Sequence, residues 1–220
     1  MRKFDNIVNK PWGYEYVAYE SSECALWLLH IKDGHSTSMH CHPNKTTGLI
    51  LLDGTAKVSF MNDSFQLEPK HKIMIRKGLF HSTKATSKSG VTLFEVETPV
   101  DKFDLVRLKD SYGREGKPYE DISHEYQKLE DCLKIQEPQK NKENVYKIAD
   151  CRLRVCNIGN TDFFETLDDE KNVMFLKGGI ITEYGINVAG SGDILSCKVI
   201  KELIKVFKQV KDETIVMVFE

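Results

Sequence analysis

The stretch GHSTSMHCHPNKTTG, residues 34–48, holds three of the seven histidines of the chain within eight positions. His40 and His42 are separated by one residue, and successive side chains of a β-strand point to opposite faces of its sheet. On a strand, these two imidazoles would share one face and could occupy two positions around a metal ion. Cys41 would point to the other face, where we expect a small core residue rather than a ligand.

The sequence around this stretch predicts short β-strands. Between residues 12 and 98, short segments rich in Leu, Ile, Val, Phe and Thr are separated by Gly, Asp, Asn or Pro. These segments are ECALWLLHI, GLILLDGTAKVSF, DSFQLEP, KIMIRKG and VTLFEVET. No long segment keeps a helical period, so the pattern favours an antiparallel barrel or sandwich, including a jelly roll.

The chain changes character after this region, and we predict three parts. Residues 1–118 form the metal-binding barrel, residues 119–143 a charged surface connector, and residues 144–220 a smaller β-rich domain without metal ligands. No histidine follows His124, so the last part has no imidazole with which to repeat the first site. It could be a degenerate copy of the first barrel.

Three segments have helical character. SHEYQKLEDCLKIQ, residues 123–136, could form a short amphipathic helix in the connector. TDFFETLDDEK, residues 161–171, predicts a helix capped by Thr161 or Asp162. VIKELIKVFKQV, residues 199–210, fits both a helical stripe and a strand.

Composition excludes several classes of protein. The chain is 40% hydrophobic and 29% charged with a formal charge of −2, so we expect neither nucleic acid nor a membrane as partner. It has no apolar run long enough to span a membrane, and its start lacks the apolar core of a signal peptide. Its six cysteines include no CxxC pair, so we expect reduced thiols and a cytoplasmic protein.

His81 is the best candidate for a third metal ligand. It ends the segment IRKGLFH, in which Gly78 permits a tight turn before a new strand. The pattern of Gly34, five residues, His40-x-His42 and then Gly54, followed by Gly78-x-x-His81, resembles the two motifs of the cupin superfamily. This resemblance implies an all-β cupin, a jelly-roll barrel, with a metal bound by His40, His42 and His81.

Further segments narrow the resemblance. KPWG (10–13), GTAKV (54–58), FEVET (94–98), DLVRL (104–108) and YGR (112–114) occur in the order typical of the cupin-type mannose-6-phosphate isomerase domain. That domain also forms the C-terminal part of mannose-1-phosphate guanylyltransferases. The similarity covers about residues 9 to 118 and implies a sugar-phosphate isomerase.

The sequence departs from this family at the expected metal site. Where the family has a metal-binding Gln and Glu, this chain has Ser38 and Thr47. In the second cupin motif, Arg76 and Ala85 replace Pro and Asn. The remaining donors are three neutral imidazoles, which suit a divalent metal such as Zn, Fe, Ni, Mn or Cu without selecting one.

Other residues are candidates for catalysis and substrate binding. Glu95 and Glu97 share a strand face, and either could be the general base if that face is the barrel interior. The candidates for binding a phosphate are Lys10, Arg76 and Arg114. His35 and Thr47 are further candidates for contacting the substrate.

Three functions remain open at this point. The first is a metal-dependent isomerase or epimerase that acts on a sugar phosphate or nucleotide sugar in surface polysaccharide synthesis. The second is a three-histidine non-haem iron dioxygenase, and the third is a cupin that binds a sugar or another ligand without catalysis. We also expect a homodimer, because barrel edges are often covered by a partner strand.

Overall fold

The structure is a computed structural model, and it describes residues 7–117, 119 and 132–220. The described residues form two compact units. The first unit comprises the residues up to Glu20 together with Ala25–Lys134. The second unit comprises Ser21–Cys24 together with Ile135–Glu220. Most of the predicted helix at residues 123–136 lies outside the described residues.

Within its described residues, the first unit contains eleven strands. Their bounds are β1 Val8–Lys10, β2 Gly13–Glu20, β3 Ala25–Ile31, β4 Met39–Cys41, β5 Thr46–Asp53, β6 Ala56–Phe60, β7 Ser64–Leu67, β8 Lys72–Ile75, β9 His81–Ala85, β10 Val91–Thr98 and β11 Val106–Lys109. They form a six-stranded sheet in the order β1-β2-β3-β10-β5-β8 and a five-stranded sheet in the order β11-β4-β9-β6-β7. The paired strands are antiparallel, so the all-β jelly-roll prediction is confirmed.

The core of this unit contains side chains from both sheets. Trp27 and Leu29 of β3 and Leu51 of β5 come from the six-stranded sheet, and Val58 of β6 and Ala85 of β9 come from the other. Each of these five side chains is at most 3% exposed. Burial of this apolar surface at about 25 cal/mol per Å² stabilises the barrel whose interior holds the candidate site.

The second unit contains eight strands and two helices. Their bounds are β12 Glu143–Ile148, β13 Cys151–Ile158, α1 Asp162–Glu165, β14 Asn172–Lys177, β15 Gly179–Ile181, β16 Asn187–Gly190, β17 Ile194–Ser196, α2 Cys197–Ile204, β18 Gln209–Val210 and β19 Thr214–Phe219. The strands form sheets in the orders β12-β13-β19-β14-β17 and β16-β15-β18.

The two helices of this unit differ in length from the segments in which the sequence pattern predicted or allowed a helix. The helix predicted for residues 161–171 is a single turn after Thr161, whose side chain makes no capping bond. Asn160 instead accepts a hydrogen bond from the backbone N–H of Asp162 at 3.1 Å. The ambiguous segment at residues 199–210 contains the last six residues of α2, a connection and the short strand β18.

None of the six cysteines, all of which lie within the described residues, forms a disulfide bond. Within residues 7–117, 119 and 132–220, no helix has the length and apolar character required to cross a bilayer.

We predict that Gly54→Ala destabilises the protein much more than Gly34→Ala. Both glycines have positive φ, +79° and +72°, so alanine costs about 1 kcal/mol of backbone strain at either position. At Gly54 the new Cβ would also lie 2.3 Å from the carbonyl oxygen of Gly90, whereas at Gly34 it would meet nothing within 4 Å. Urea denaturation should show at least about 2 kcal/mol more loss for Gly54→Ala, and equal losses would contradict the turn geometry.

Candidate metal centre of the first unit

Three buried histidines meet on the five-stranded sheet of the first unit. His40 lies in β4, His42 follows that strand directly, and His81 begins β9, where it is the register partner of His40. The ring centroid of His40 lies 5.0 Å from that of His42 and 4.5 Å from that of His81. One nitrogen from each ring lies within 4.8 Å of the others. Strand pairing therefore brings together residues that are distant in sequence.

Backbone carbonyl groups orient the three rings. The Nδ1 atoms of His40, His42 and His81 lie 2.8, 2.7 and 2.9 Å from the carbonyl oxygens of Ser38, Asp104 and Leu79, respectively. Because a carbonyl oxygen can only accept, each neutral ring must carry its proton on Nδ1 and donate it. Each Nε2 then keeps a lone pair, which is the state a metal-binding histidine requires.

Burial and neighbouring charge keep these rings neutral. Burial, followed by the charge of Lys45, lowers the pKa of His42 to about 2. Burial also lowers the pKa of His81 to about 4, and it lowers the pKa of His40 well below its ordinary value, with His81 and His42 adding to the effect. At neutral pH the cluster therefore offers lone pairs rather than protons.

The donors fit a divalent transition metal. The Nε2 atom of His42 is buried and has no hydrogen-bond partner among the described residues. A buried polar atom without a partner is costly, and a bound ion would remove that cost. Three neutral imidazoles are a common donor set for Zn, Fe, Ni, Mn or Cu.

Thr47 occupies the place of the family's carboxylate ligand. It is fully buried in β5, where Glu97 of β10 and Ile75 of β8 are its register partners. Its Oγ1 also lacks a hydrogen-bond partner among the residues that the structure describes. A hydroxyl is a weak ligand for a divalent ion, so the three imidazoles remain the donors of this cluster.

A small cavity of about 50 Å³ adjoins the histidines and is rich in charged side chains. Its basic lining residues are Lys10, Lys45, Lys102, Arg107 and Arg114, and its acidic ones are Glu15 and Glu95. Glu97 pairs with Lys45 and Asp110 pairs with Arg114, so five basic groups face four acidic ones, and the small positive excess favours an anionic ligand.

The charged lining residues form a buried network. The Nζ atom of Lys102 lies 3.4 Å from Glu15 and 3.9 Å from Glu95, and it sits 3.8 Å from the ring centroid of Trp27. Lys10 lies 3.5 Å from Glu15. Tyr119 donates a short hydrogen bond to the same Glu15 carboxylate. These contacts hold the walls of the cavity in place.

Glu95 and Glu97 both lie on the interior face of β10, but in different surroundings. Burial raises the pKa of Glu95 above its ordinary value, and the nearby Lys102 only partly opposes this. The carboxylate of Glu97 is fully buried and accepts hydrogen bonds from Trp27 Nε1 at 3.1 Å and from Lys45 Nζ. Glu95 therefore faces the cavity, whereas Glu97 is held in an ion pair behind it.

The structure separates the candidate substrate-binding residues into two groups. Lys10, Arg114 and Thr47 lie in the interior, with Arg114 bound to Asp110 at 2.7 Å. Arg76 is exposed in the loop after β8 and does not line the cavity. His35 is half-buried, stacks against Tyr112 at 6.3 Å and is also absent from the lining.

Sequence reasoning missed several charged residues of this region. Lys45, Lys102, Arg107 and Glu15 lie in segments whose strand pattern gives no sign that a charge is buried. Of these residues, Lys45 was the one that the sequence could most readily have indicated, because it lies between the HxH pair and the position of the expected carboxylate. Its burial at 1% exposure depends on Glu97 and on the carbonyl of Asp101, which come from distant parts of the chain.

Comparison with known proteins agrees with this geometry. Residues 2–110 match the protein family described as mannose-6-phosphate isomerase C-terminal. This part of the chain belongs to that family. It is a cupin domain, as the arrangement of its strands and histidines indicates.

Curated relatives match the same part of the chain. Mannose-1-phosphate guanylyltransferase of Klebsiella pneumoniae is 25% identical over 109 residues, which are 49% of this chain and 23% of that protein. Xanthan biosynthesis protein XanB of Xanthomonas campestris pv. campestris is 28% identical, with 49% and 23% covered. Alginate biosynthesis protein AlgA of Pseudomonas putida is 28% identical, with 51% and 24% covered. The chain spans about a quarter of the length of these relatives, and its cupin is homologous to a domain of polysaccharide biosynthesis proteins.

Solved structures with a similar arrangement include two from bacteria. Capsular polysaccharide assembling protein CapF of Staphylococcus aureus aligns over 47% of this chain and 34% of that chain, with 14% identity and a TM-score of 0.44. A cupin-2 domain containing protein of Shewanella frigidimarina aligns over 41% and 84%, with 20% identity and a TM-score of 0.36.

We predict that the double variant His40→Ala/His42→Ala loses metal binding and stays folded. The two rings supply two of the three converging nitrogens, whereas the apolar core between the sheets does not depend on them. Elemental analysis after incubation with Zn²⁺ and removal of the excess should give about one equivalent for the parent and none for the variant. The exposed His71→Ala serves as the control. Stoichiometric metal in the double variant would contradict the assignment.

We also predict that Lys45→Met is strongly destabilising. It would leave the buried Glu97 carboxylate without its cation, at a cost of about 3–5 kcal/mol. The matched control, Lys57→Met, removes an exposed lysine of β6 and should cost less than about 0.5 kcal/mol.

Replacing Glu97 with Gln in the Lys45→Met background should restore part of the lost stability, because it removes the unpaired charge. Urea denaturation monitored by circular dichroism measures all three variants. Equal stabilities of Lys45→Met and Lys57→Met would show that the ion pair has no such role.

Proposed function

We propose that the first unit is a metal-dependent enzyme that isomerises a phosphorylated sugar in surface polysaccharide biosynthesis. The observation that carries the proposal is a cluster of three converging histidine nitrogens, of which the His40 and His42 rings line the same cavity as the buried carboxylate of Glu95. Interconversion of an aldose and a ketose requires an electrophile at the carbonyl oxygen and a base at the neighbouring carbon.

His40, His42 and His81 would hold the metal. When bound there, a divalent ion supplies Lewis-acid polarisation of a substrate carbonyl. The three neutral rings leave the full positive charge of the ion at the site, because no carboxylate ligand offsets it.

Glu95 is the proposed general base. Its carboxylate would accept the proton from the carbon next to the carbonyl and return it to the former carbonyl carbon. The hydroxyl proton on that neighbouring carbon's oxygen passes to the former carbonyl oxygen in the same conversion, which completes the change from one isomer to the other. Burial raises the pKa of Glu95, and a carboxylate that holds a proton more readily than an exposed glutamate suits a group that must both accept and return one. Lys102, at 3.9 Å, holds the carboxylate in position.

Arg107, Arg114 and Lys10 are the proposed phosphate ligands. Their side chains line the cavity, and guanidinium groups bind phosphate oxygens in pairs. A volume of about 50 Å³ is far below that of an ordinary ligand pocket, about 300–1,000 Å³, so substrate entry requires lining side chains to move. Lys10 has the long flexible stem that permits such movement.

The comparisons support a phosphorylated hexose as the substrate. The matched family is named for mannose-6-phosphate isomerase, and the relatives are named as a mannose-1-phosphate guanylyltransferase and as xanthan and alginate biosynthesis proteins. An excess of basic groups in the cavity fits a phosphate ester. We therefore take mannose 6-phosphate as the first substrate to test.

An oxygen-using iron enzyme is the second candidate. The observation that favours it is the all-imidazole donor set with Thr47 in the place of the carboxylate. Metal analysis of untagged protein distinguishes the two. Iron together with substrate-dependent oxygen consumption would support the second candidate, whereas turnover of a sugar phosphate without oxygen consumption would support the first.

We predict that Glu95→Gln strongly slows isomerisation of mannose 6-phosphate while metal and substrate still bind. Loss of a general base typically lowers kcat by about 10²–10⁴, with little change in KM. Coupled detection of fructose 6-phosphate measures the rate. The exposed Arg76→Ala should retain full activity. Activity in Glu95→Gln equal to that of the parent would exclude Glu95 as the base, and inactivity of the metal-loaded parent would exclude the isomerase.

We further predict that activity falls on acidification with a midpoint above pH 4.5, the ordinary value for a glutamate. Burial raises the pKa of Glu95, so the carboxylate is protonated, and unable to accept a proton, at a higher pH than an exposed glutamate would be. The profile of kcat/KM against pH measures this limb in the free enzyme. Activity that is constant down to pH 4.5 would contradict the role of Glu95.

A further inference from the structure

A second concave site lies entirely within the second unit. It is a groove of about 480 Å³ formed by the turn before β12, the strand β13, the bend that follows it and the helix α1. This volume is within the range of about 300–1,000 Å³ that is typical of small-molecule sites. The proposed isomerase function does not involve it.

The groove has an apolar floor. Cys156 and Ile158, which alternate along β13, are 4% and 5% exposed, and the half-buried ring of Phe163 lies beside them. The Phe163 ring packs edge-on against the fully buried Phe164, with 5.6 Å between centroids. The ring is therefore held in place while part of its surface remains accessible.

Amide side chains form the rim, and the fold orients two of them. Asn157 donates its Nδ2 to the carbonyl of Pro138 at 3.1 Å, and Asn160 accepts at Oδ1 from the N–H of Asp162 at 3.1 Å. The Asn157 Oδ1 and the Asn160 Nδ2 have no hydrogen-bond partner within the described ranges. The groove thus presents a free acceptor and a free donor, with Asn141 alongside.

The main charge of the groove is already neutralised. Arg154 donates from Nε and Nη2 to Glu143 at 3.1 and 2.9 Å and from Nη1 to Glu220 at 3.2 Å. The Cys156 thiol is neutral, because burial and the neighbouring Glu143 raise its pKa to about 11. Lys142 contributes a charge only from the exposed rim.

We propose that this groove binds a saccharide. A sugar ring carries hydroxyl groups that both donate and accept hydrogen bonds, and these match the free atoms of Asn157 and Asn160. Its C–H face is apolar and packs on aromatic rings such as Phe163. An arginine that is already paired with two carboxylates, together with oriented amides, suits a neutral polyhydroxylated ligand better than an anion.

Saturation-transfer NMR on the full chain tests the proposal. The probes are methyl α-glucoside, methyl α-mannoside, methyl α-galactoside and maltotriose at millimolar concentration. The simple glycosides test recognition of a single sugar unit, and the oligosaccharide tests recognition of a glycan chain. We expect transfer to at least one probe, and about a tenfold loss of affinity in Asn157→Ala/Asn160→Ala.

Two control variants locate the binding. Asn187→Ala removes an exposed amide outside the groove and should leave binding unchanged, as should His40→Ala/His42→Ala in the first unit. Transfer to none of the probes would overturn the proposal. So would transfer that persists in the folded asparagine double variant, or that disappears only in the histidine double variant.

Discussion

The central position of β10 is the constraint on which the first unit depends. This strand is hydrogen-bonded to β3 on one side and to β5 on the other, over seven register pairs each. Its alternation places Phe94 and Val96 on one face and Glu95 and Glu97 on the other. A shift of one residue would bury apolar groups in the cavity and turn both carboxylates away from it. The pairing of β10 therefore fixes the chemistry of the interior.

The charges placed there by β10 are retained because each has a partner. An isolated buried carboxylate or ammonium would cost several kcal/mol or lose its charge. Glu97 and Lys45 form one pair, and Glu15, Glu95 and Lys102 form a second group beside the histidines. The first arrangement is structural, whereas the second leaves Glu95 facing the cavity. One strand face thus serves both stability and the proposed catalysis.

The two units differ in how their candidate sites recognise a ligand. The first unit relies on charge and on lone pairs directed at one point, which suits a metal and an anion. The groove of the second unit relies on oriented amides beside an aromatic ring, which suits a neutral ligand. Because the second unit lacks histidine, its site had no motif by which sequence reasoning could find it. Its asparagines become recognisable only when the turn before β12 and the bend after β13 lie side by side.

The sequence by itself determined the strand pattern of both units, the HxH pair on one strand face, and the absence of a carboxylate at Thr47. These features depend on residues a few positions apart, so local periodicity and spacing are sufficient. Only the tertiary structure decided which carboxylate faces the cavity, which lysines are buried and which nitrogen of each histidine is free. Those properties depend on contacts such as His42 with Asp104 and Lys45 with Glu97, 62 and 52 positions apart. Burial and pKa arise from such distant neighbours, and no local pattern encodes them.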